Sequence, residues 1–311
     1  MRRFIIRRFA FSLVSIVVAT FAVFMLSRAA GDPLLLYANS GYGLTAEGEE
    51  ALRKRLALDR AVPVQYALWL GRTLKGDMGE TILDRKPVSR IVTQRLPSTI
   101  HLGATAFFLS FLVGIPLGIL SAVKRGTIWA YIGRFLALLG QAVPSFWLGL
   151  VLILLFAVHW QIFPAALRGD GIWDVKHLVL PTITLAAGGF AFYMRITRTA
   201  MLEVLDSEYV RLARAKGVSN NGVIWKHAFK NALIQPLTGM TLGLTFFLTG
   251  SVLVETIFAW PGMGNMAITA VNNNDFPLLQ GAVFFFTILF VGMTFITDLL
   301  YAYIDPRIRY D

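Results

Sequence analysis

Several stretches of about 20 apolar residues recur along the chain, and they constrain its fold more than any other feature. A run of that length is long enough for a helix to cross the hydrocarbon core of a membrane. The composition agrees, because 56% of the 311 residues are hydrophobic and only 15% are charged. The sequence therefore predicts an all-α membrane protein with six transmembrane helices.

The basic residues predict how these helices are oriented, since lysine and arginine collect on the cytoplasmic loops of membrane proteins. With six spans, the bases of the N-terminus, of Lys124 and Arg125, of a polar stretch at 198–233 and of the C-terminal tail all fall on one side. We therefore expect cytoplasmic N- and C-termini. The predicted spans cover residues 9–26, 99–123, 132–158, 177–196, 236–258 and 278–303.

The first apolar run follows arginines at positions 2, 3, 7 and 8. A cleavable signal peptide is the alternative, but its apolar core would have about 7–15 residues, and this run is longer. We therefore assign 1–30 to an N-terminal cytoplasmic segment and the first transmembrane helix, 31–98 to an extracytoplasmic helical region, and 99–311 to a five-helix core. In the extracytoplasmic region we predict helices at 45–56 and 64–75, and a helix at 87–95 that lies on the membrane surface.

Some residues inside the predicted spans are candidate gating or structural positions. Pro144 should kink or locally unwind the third span, and such broken segments often line a transport pathway, although a packing kink explains it equally well. Glu255 lies near the outer end of the fifth span and Asp298 in the inner part of the sixth. An acid inside a membrane is by default a functional hypothesis. Arg195 is a candidate partner for Asp298.

The polar stretch 198–233 is predicted to form two helices with a break at Gly217. Glycine there suits a left-handed C-terminal cap, and Ser219 or Asn220 can cap the second helix, which we expect to reach Lys230. Its charges exclude burial in lipid, so the stretch should form an exposed and rigid protrusion. Two interpretations remain open from the residues alone: an ordinary interfacial loop, or a contact surface for a soluble partner that drives the membrane part.

A family resemblance lies in this same stretch. It reads Glu208-Tyr209-Val210-Arg211-x-Ala213-Arg214-Ala215-Lys216-Gly217-Val218-Ser219, followed by Asn231-Ala232-Leu233-Ile234-x-Pro236. This resembles the cytoplasmic coupling loop of permeases of binding-protein-dependent ABC importers, in their dipeptide/oligopeptide/nickel branch. The general importer motif begins Glu-Ala-Ala, whereas only Ala213 and Gly217 agree with it here, as is usual in the peptide branch.

Scattered motifs extend the resemblance over nearly the whole chain. They include Pro63-Val64-Gln65-Tyr66, Phe258-Ala259-Trp260-Pro261-Gly262, and Asp298-Leu299-Leu300-Tyr301 with Asp305-Pro306-Arg307. Ala57 and Ala61 stand where this family usually has glycine and proline, which we interpret as local changes in a loop.

The resemblance implies a type I ABC importer permease fold in the inner membrane of a prokaryote. It implies a second homologous permease subunit, one or two ABC ATPase subunits and an extracytoplasmic substrate-binding protein as partners, with ATP and Mg in the ATPases and no cofactor in this chain. The residues it assigns to ATPase coupling are Glu208, Tyr209, Arg211, Ala213, Arg214, Ala215, Lys216, Gly217, Val218 and Ser219. The implied cargo is a di- or oligopeptide, with nickel chelates, glutathione and opines as alternatives; the substrate-binding residues are not identified.

Other classes of function lack their sequence signals. The chain has no G-x-x-x-x-G-K-[ST] motif, so we do not expect it to be the ATPase. Its four histidines are dispersed and it has no cysteine, so no metal site is predicted. The net charge of +11 follows from basic cytoplasmic loops and does not require a nucleic acid. A secondary transporter driven by an ion gradient remains the alternative of a different class, but it would predict internal repeats or carboxylates near the midplane.

Overall fold

The computed structural model of the protein describes residues 2–29, 34, 46–169, 171 and 174–304. Helices dominate this part of the chain, and no β-strand occurs within it, so the predicted all-α class is confirmed. The α-helices are α1 (Arg2–Ala29), α2 (Ala46–Arg55), α3 (Val62–Thr73), α4 (Val88–Val123), α5 (Ile128–Ala142), α6 (Ser145–Leu152), α7 (Val175–Leu205), α8 (Glu208–Ala215), α9 (Asn220–Gly222), α10 (Lys230–Ala232), α11 (Ile234–Ile257), α12 (Met263–Asn272) and α13 (Phe276–Ile304). Two π-helical segments are π1 (Ile153–His159) and π2 (Val223–Phe229).

Four helices of the described residues are long and apolar enough to cross a membrane, namely α1, α4, α7 and α13. A fifth span results if α5 and the segment 145–159, which are bent by 106° at the break between them, count as one. The predicted fifth span of the sequence corresponds to α11, a continuous helix of 24 residues. The six-span count and the cytoplasmic position of the termini stay predictions, and the tail 305–311 lies outside the described residues.

The predicted surface helix at 87–95 is wrong as a separate element. It forms the first turns of α4, a helix of 36 residues that continues through Pro97. Val88 and Val92 are fully buried, and Gly281 lacks the side chain that would collide with Val88. The apolar face of this segment therefore packs against protein, and its two apolar valines were not a sign of contact with lipid.

Two further boundaries differ from prediction. Helix α7 does not end at Ile196 but continues to Leu205, because Ala200 and Met201 are buried against neighbouring helices. The single polar helix predicted up to Lys216 is split, since Ser207 has extended backbone and α8 begins only after it. The segment between the predicted fifth and sixth spans contains α12.

The contacts divide the chain into two compact units, of which unit 1 comprises Met1–Thr99 and Pro261–Phe295. Its core holds the aromatic side chains of Phe24, Tyr66 and Trp69, which contact one another edge-on or tilted. The Asp275 carboxylate accepts hydrogen bonds from the backbone N–H groups of Ile82 (3.0 Å) and Leu278 (3.2 Å). Burial raises the pKa of Asp275, and these N–H donors oppose that rise.

Unit 2 comprises Ile100–Trp260 and Ile296–Asp311. Its helices approach closely at small residues, as is common between membrane helices. A Cβ at Gly118 of α4 would lie 2.7 Å from the Cβ of Thr197 on α7, and one at Gly133 of α5 would collide with Met194. Gly239 and Gly243 of α11 likewise lie against the rings of Phe192 and Tyr193 on α7.

Candidate functional site

The candidate site lies in unit 2 beyond the end of α7, where α8 is held by a few buried side chains. The eight residues of α8 turn Val210 and Ala213 inward, with 0% and 8% of their surface exposed. Burying a valine side chain stabilises a contact by about 1.5–3 kcal/mol. Helix α8 is therefore fixed to the protein on one face, while its other face is open.

Gly217 ends α8 with the left-handed cap that the sequence predicts. Its φ is +78°, its N–H donates to the carbonyl of Arg214 (3.0 Å), and the N–H of Val218 donates to the carbonyl of Ala213 (3.2 Å). This pair of hydrogen bonds is the Schellman motif. It fixes the direction in which the chain leaves α8.

The second half of the protrusion begins at Ser219, whose Oγ accepts a hydrogen bond from the N–H of Gly222 (3.3 Å). The predicted cap is thus Ser219, and the second helix runs through α9, π2 and α10 to Ala232, not to Lys230. Segment π2 buries Val223 and Ala228 completely. No pattern of residues predicts its π geometry, a geometry that is frequent at functional sites.

A hydrogen bond joins the two halves of the protrusion. The amide nitrogen of Asn231 donates to the hydroxyl of Tyr209 (3.1 Å) and also to the carbonyl of His227 (2.8 Å). On α8 itself, Arg211 contacts Glu208 at 2.8 Å. This contact joins α8 to the second half of the protrusion, although the two residues are 22 positions apart in the sequence. It was not predicted from the sequence.

The open face of the protrusion combines apolar and basic side chains. Tyr209, Leu212 and Trp225 expose 44%, 56% and 56% of their surface. Arg211, Arg214, Lys216 and Lys226 lie among them, all exposed. Aromatic side chains and arginine are enriched in protein interfaces. We name these seven side chains the coupling surface; it suits a protein partner that presents acidic and apolar groups.

The ten residues predicted for coupling fall into two classes in the structure. Ala213 is buried and Val218 partly buried, so these two hold α8 and its cap in place. The other eight are exposed and available to a partner: Glu208, Tyr209, Arg211, Arg214, Ala215, Lys216, Gly217 and Ser219.

The four candidate gating or structural residues do not form one cluster with the coupling surface. Pro144 is the N-terminal cap of α6, at the 106° bend, so the predicted break in the third span is confirmed. Glu255 is fully buried in the last turn of α11. Arg195 donates to the side-chain oxygen of Gln141 at 2.9 Å, a partner that the sequence did not suggest. Asp298 is half-buried, and its pairing with Arg195 stays a prediction.

A cavity of about 720 Å³ opens beside this break. Apolar surface and small residues form most of its wall, with a few polar groups. Its lining includes Gly140, Gln141, Ser145, Thr184, Gly188 and Tyr193. Gln141 both lines the cavity and accepts the hydrogen bond of Arg195. The sequence signal for this site was Pro144, which predicted the break.

One histidine forms a polar contact at the start of α7, with an aspartate that precedes the helix. Nδ1 of His177 lies 2.9 Å from Oδ2 of Asp174. The hydrogen bond from His177 lowers the pKa of Asp174 below its usual value. This pair fits an ordinary polar contact at a helix start.

Comparison with known proteins gives two adjoining family matches. Residues 114–310 match the family model described as "Binding-protein-dependent transport system inner membrane component". Residues 1–103 match the model for the N-terminal part of membrane components of the same transport systems. Together the two models cover nearly the whole chain.

Curated relatives extend over the full length. A protein of Brucella abortus (strain 2308), named for a peptide transport system permease, is 39% identical over 317 residues, covering 100% of both chains. The "Dipeptide transport system permease protein DppB" of Escherichia coli (strain K12) is 35% identical over 340 residues, covering 100% of this chain and 99% of its own.

Solved structures of low identity share the fold. An inward-facing MetNI methionine ABC transporter matches with a TM-score of 0.57 at 18% identity, covering 69% of this chain and 96% of that one. An amino acid ABC transporter crystallised with histidines matches with a TM-score of 0.55 at 14% identity, covering 70% and 94%. The predicted ABC importer permease fold is thereby confirmed.

Proposed function

The chain belongs to the family of inner membrane components of binding-protein-dependent transport systems, and we propose from this premise that it is the permease subunit of an ATP-driven importer of di- or oligopeptides. Full-length relatives named for peptide and dipeptide transport support this cargo. Nickel chelates, glutathione and opines are the alternative cargoes. The location that goes with this function is the inner membrane of a prokaryote, with the chain crossing it several times.

The observation that carries the proposal is the geometry of the protrusion. Helix α8 is held by buried Val210 and Ala213, capped at Gly217, and tied to the second half through Asn231. An external protein that binds such a protrusion can displace it as one body, because its internal contacts leave little freedom to bend. We propose that a cytoplasmic ATPase binds the coupling surface and drives the membrane part in this way.

The proposed assembly has several members. A second homologous permease subunit forms the other half of the pathway, one or two ABC ATPase subunits bind ATP and Mg, and an extracytoplasmic binding protein delivers the cargo. This chain supplies no group that cleaves ATP in the proposal. Its own residues position the partner through α8, and the cavity beside Pro144 and Gln141 supports a place for the broken segment in the translocation pathway.

Transport in vesicles tests the proposal. The chain is co-expressed with the permease, ATPase and binding-protein genes of its own operon, reconstituted in proteoliposomes, and supplied with a labelled dipeptide outside and ATP inside. We expect uptake only when ATP, Mg and binding protein are all present. Uptake by this chain alone along a proton or sodium gradient, without ATP, would instead establish a secondary transporter and overturn the proposal.

A further inference from the structure

Three arginines from three different segments converge near the ends of α4, α5 and α7. Arg125 lies two residues after the end of α4, Arg134 lies on α5, and Arg198 lies on α7. A Cβ at Gly118 of α4 would lie 3.2 Å from the backbone nitrogen of Arg198, so the helices meet closely here. The positive charges of Arg134 and Arg125 both act on the guanidinium of Arg198. We call these three residues the arginine cluster.

The cluster has an excess of positive charge. Arg125 contacts the carboxylate of Asp206 at 3.3 Å, with both side chains about two-thirds exposed. Among the described residues, neither Arg134 nor Arg198 has a carboxylate within ion-pair distance, and Nε of Arg198 has no hydrogen-bond partner. Among the described residues, one ion pair therefore serves a cluster of three guanidinium groups. Mutual repulsion of this kind is unfavourable unless an anion is bound.

The cluster lies at the level of a membrane surface. Residues 124–127 connect two segments that are apolar enough to span a membrane, so the connection itself falls at the boundary with water. Trp129 and Tyr131, at the start of α5, expose 58% and 57% of their surface. Tryptophan and tyrosine are enriched where the hydrocarbon meets the headgroups. The guanidinium carbon of Arg134 lies 4.6 Å from the ring centre of Tyr131, which holds this cation beside the aromatic belt.

From this placement we propose that the arginine cluster binds the phosphate headgroup of an anionic phospholipid. Arginine offers planar, forked donors that match phosphate oxygens. Arg134 is exposed and its Nε donates to the carbonyl of Ala130 (3.4 Å), which leaves its terminal nitrogens for a phosphate, whereas the Nε of Arg198 is buried without a partner. Basic pockets between membrane helices are suited to such headgroups. The acyl chains would lie along the exposed apolar side chains of α5, among them Ile132 and Phe135.

The test compares lipid retention by two charge-matched variants of the full chain in its transporter complex. One variant carries Arg134→Gln with Arg198→Gln. The control carries Lys75→Gln with Lys176→Gln, two exposed positions outside the coupling surface, and loses the same charge elsewhere. Each is purified, exposed to phosphatidylglycerol or phosphatidylcholine, and analysed by native mass spectrometry. We expect the wild type and control to retain phosphatidylglycerol preferentially, and the arginine variant to bind it roughly thirtyfold more weakly.

Further arms make the outcome decisive. The single variant Arg134→Lys keeps the charge but loses the fork, and we expect an intermediate affinity; size-exclusion chromatography checks that every variant remains assembled. Equal retention of phosphatidylglycerol by the arginine variant and the control would overturn the proposal. So would equal retention of the two lipids by the wild type, or competition by millimolar inorganic phosphate that removes the lipid preference, since the site would then bind free phosphate.

Discussion

At the scale of single residues, the conformation of Gly217 limits what can replace it. Its φ of +78° is open to glycine but costs other residues, and a Cβ placed there would meet nothing within 4 Å. The backbone conformation at position 217, and not a lack of space for a side chain, therefore favours glycine. Its N–H is also needed, because it donates to the carbonyl of Arg214.

Gly217→Pro should disrupt this cap while sparing membrane insertion, because proline cannot adopt positive φ and has no N–H. We expect ATP hydrolysis to become uncoupled from uptake, with uptake reduced at least tenfold. The control is Gly217→Asn, since asparagine tolerates the left-handed conformation. Normal coupled uptake by the proline variant in proteoliposomes would refute the role assigned to the cap.

Ala57 has a φ of +53° and is 7% exposed. It stands where the resembling family usually has glycine, and the structure shows that the replacement has a conformational cost. An alanine in the left-handed region costs about 1–2 kcal/mol of folding free energy, and glycine avoids this cost. Glycine also makes the unfolded chain more flexible, which offsets part of the gain in stability. Ala57→Gly should therefore stabilise the protein by up to about 1 kcal/mol.

The measurement for Ala57→Gly is the Tm of the purified chain in detergent. Ala61→Gly is the matched control, because Ala61 has an ordinary extended conformation with φ of −60°. Glycine there gains nothing and adds flexibility to the unfolded chain. A lower Tm for Ala57→Gly than for Ala61→Gly would contradict the expectation.

The hydrogen bond between Tyr209 and Asn231 depends on one oxygen atom, that of the Tyr209 hydroxyl, which phenylalanine lacks. Tyr209→Phe should loosen α8, because a hydrogen bond contributes about 0.5–1.5 kcal/mol. We expect amide hydrogen exchange in residues 208–216 to become several-fold faster. A double-mutant cycle with Asn231→Ala is the check: fully additive effects of the two changes would show that the contact has no energetic weight.

Sequence reasoning identified single residues well where chemistry is local. Gly217 and Ser219 were predicted from the chemistry of helix caps, and both have the expected geometry. The contacts of Asn231 with Tyr209, and of Arg195 with Gln141, were not predicted. They depend on the π geometry of π2 and on the sharp bend before α6, neither of which leaves a periodic pattern in the sequence.

At the scale of elements, α8 depends on a narrow apolar face. Its eight residues are too few for a stable isolated helix, so its structure depends on packing and on the caps. The same brevity explains why its start was misplaced in the prediction. The pattern of helix formers continues from α7 into α8, and only the extended backbone at Ser207 separates them.

Ala213→Arg should displace α8 from the protein, because position 213 is 8% exposed and an arginine there would be buried without a partner. We expect loss of ATPase co-purification together with loss of uptake. Asn221→Arg, at an exposed position of the protrusion outside the residues assigned to coupling, is the matched control for the added charge. The idea fails if both variants bind the ATPase equally well.

The longest helices show what apolar patterning can and cannot predict. The existence of the spans at α1, α4, α7 and α13 followed from hydropathy. Their ends did not, because a surface helix at 87–95 and a span from residue 99 were predicted separately although one helix, α4, runs through both and through Pro97. Proline is tolerated in such helices when neighbouring groups satisfy the backbone, and that depends on tertiary contacts absent from the sequence.

At the scale of the whole molecule, distant segments of one unit are fastened by a few buried polar groups. In unit 1, Asp275 binds the N–H of Ile82, 193 residues away, as well as that of Leu278. Gln280 similarly donates to Ser27 at 2.6 Å. Family membership and the spans were foreseeable from the sequence, but these long-range contacts were not.

Asp275→Asn should loosen the loop at 77–87, because an amide offers one acceptor where the carboxylate offers two, and a buried N–H left unpaired costs about 1–3 kcal/mol. We expect faster hydrogen exchange and earlier proteolysis in this loop. Asp84→Asn, at an exposed position in the same loop, should change either rate little. Equal behaviour of the two variants would show that Asp275 does not fasten the loop.

Helix α7 has 31 residues and therefore measures about 46 Å, whereas the hydrocarbon core of a bilayer is about 30 Å thick. The helix is therefore long enough for the residues around Leu205 to lie outside the hydrocarbon core, in water, with α8 beyond them. Its one proline, Pro181, lies in the first quarter of its length, so a kink there leaves most of the helix to move as one body. A lateral displacement of Leu205 by a few ångström would then move the N-terminal end of α7 in the opposite direction. The pivot would be the close glycine contacts near the middle of the helix.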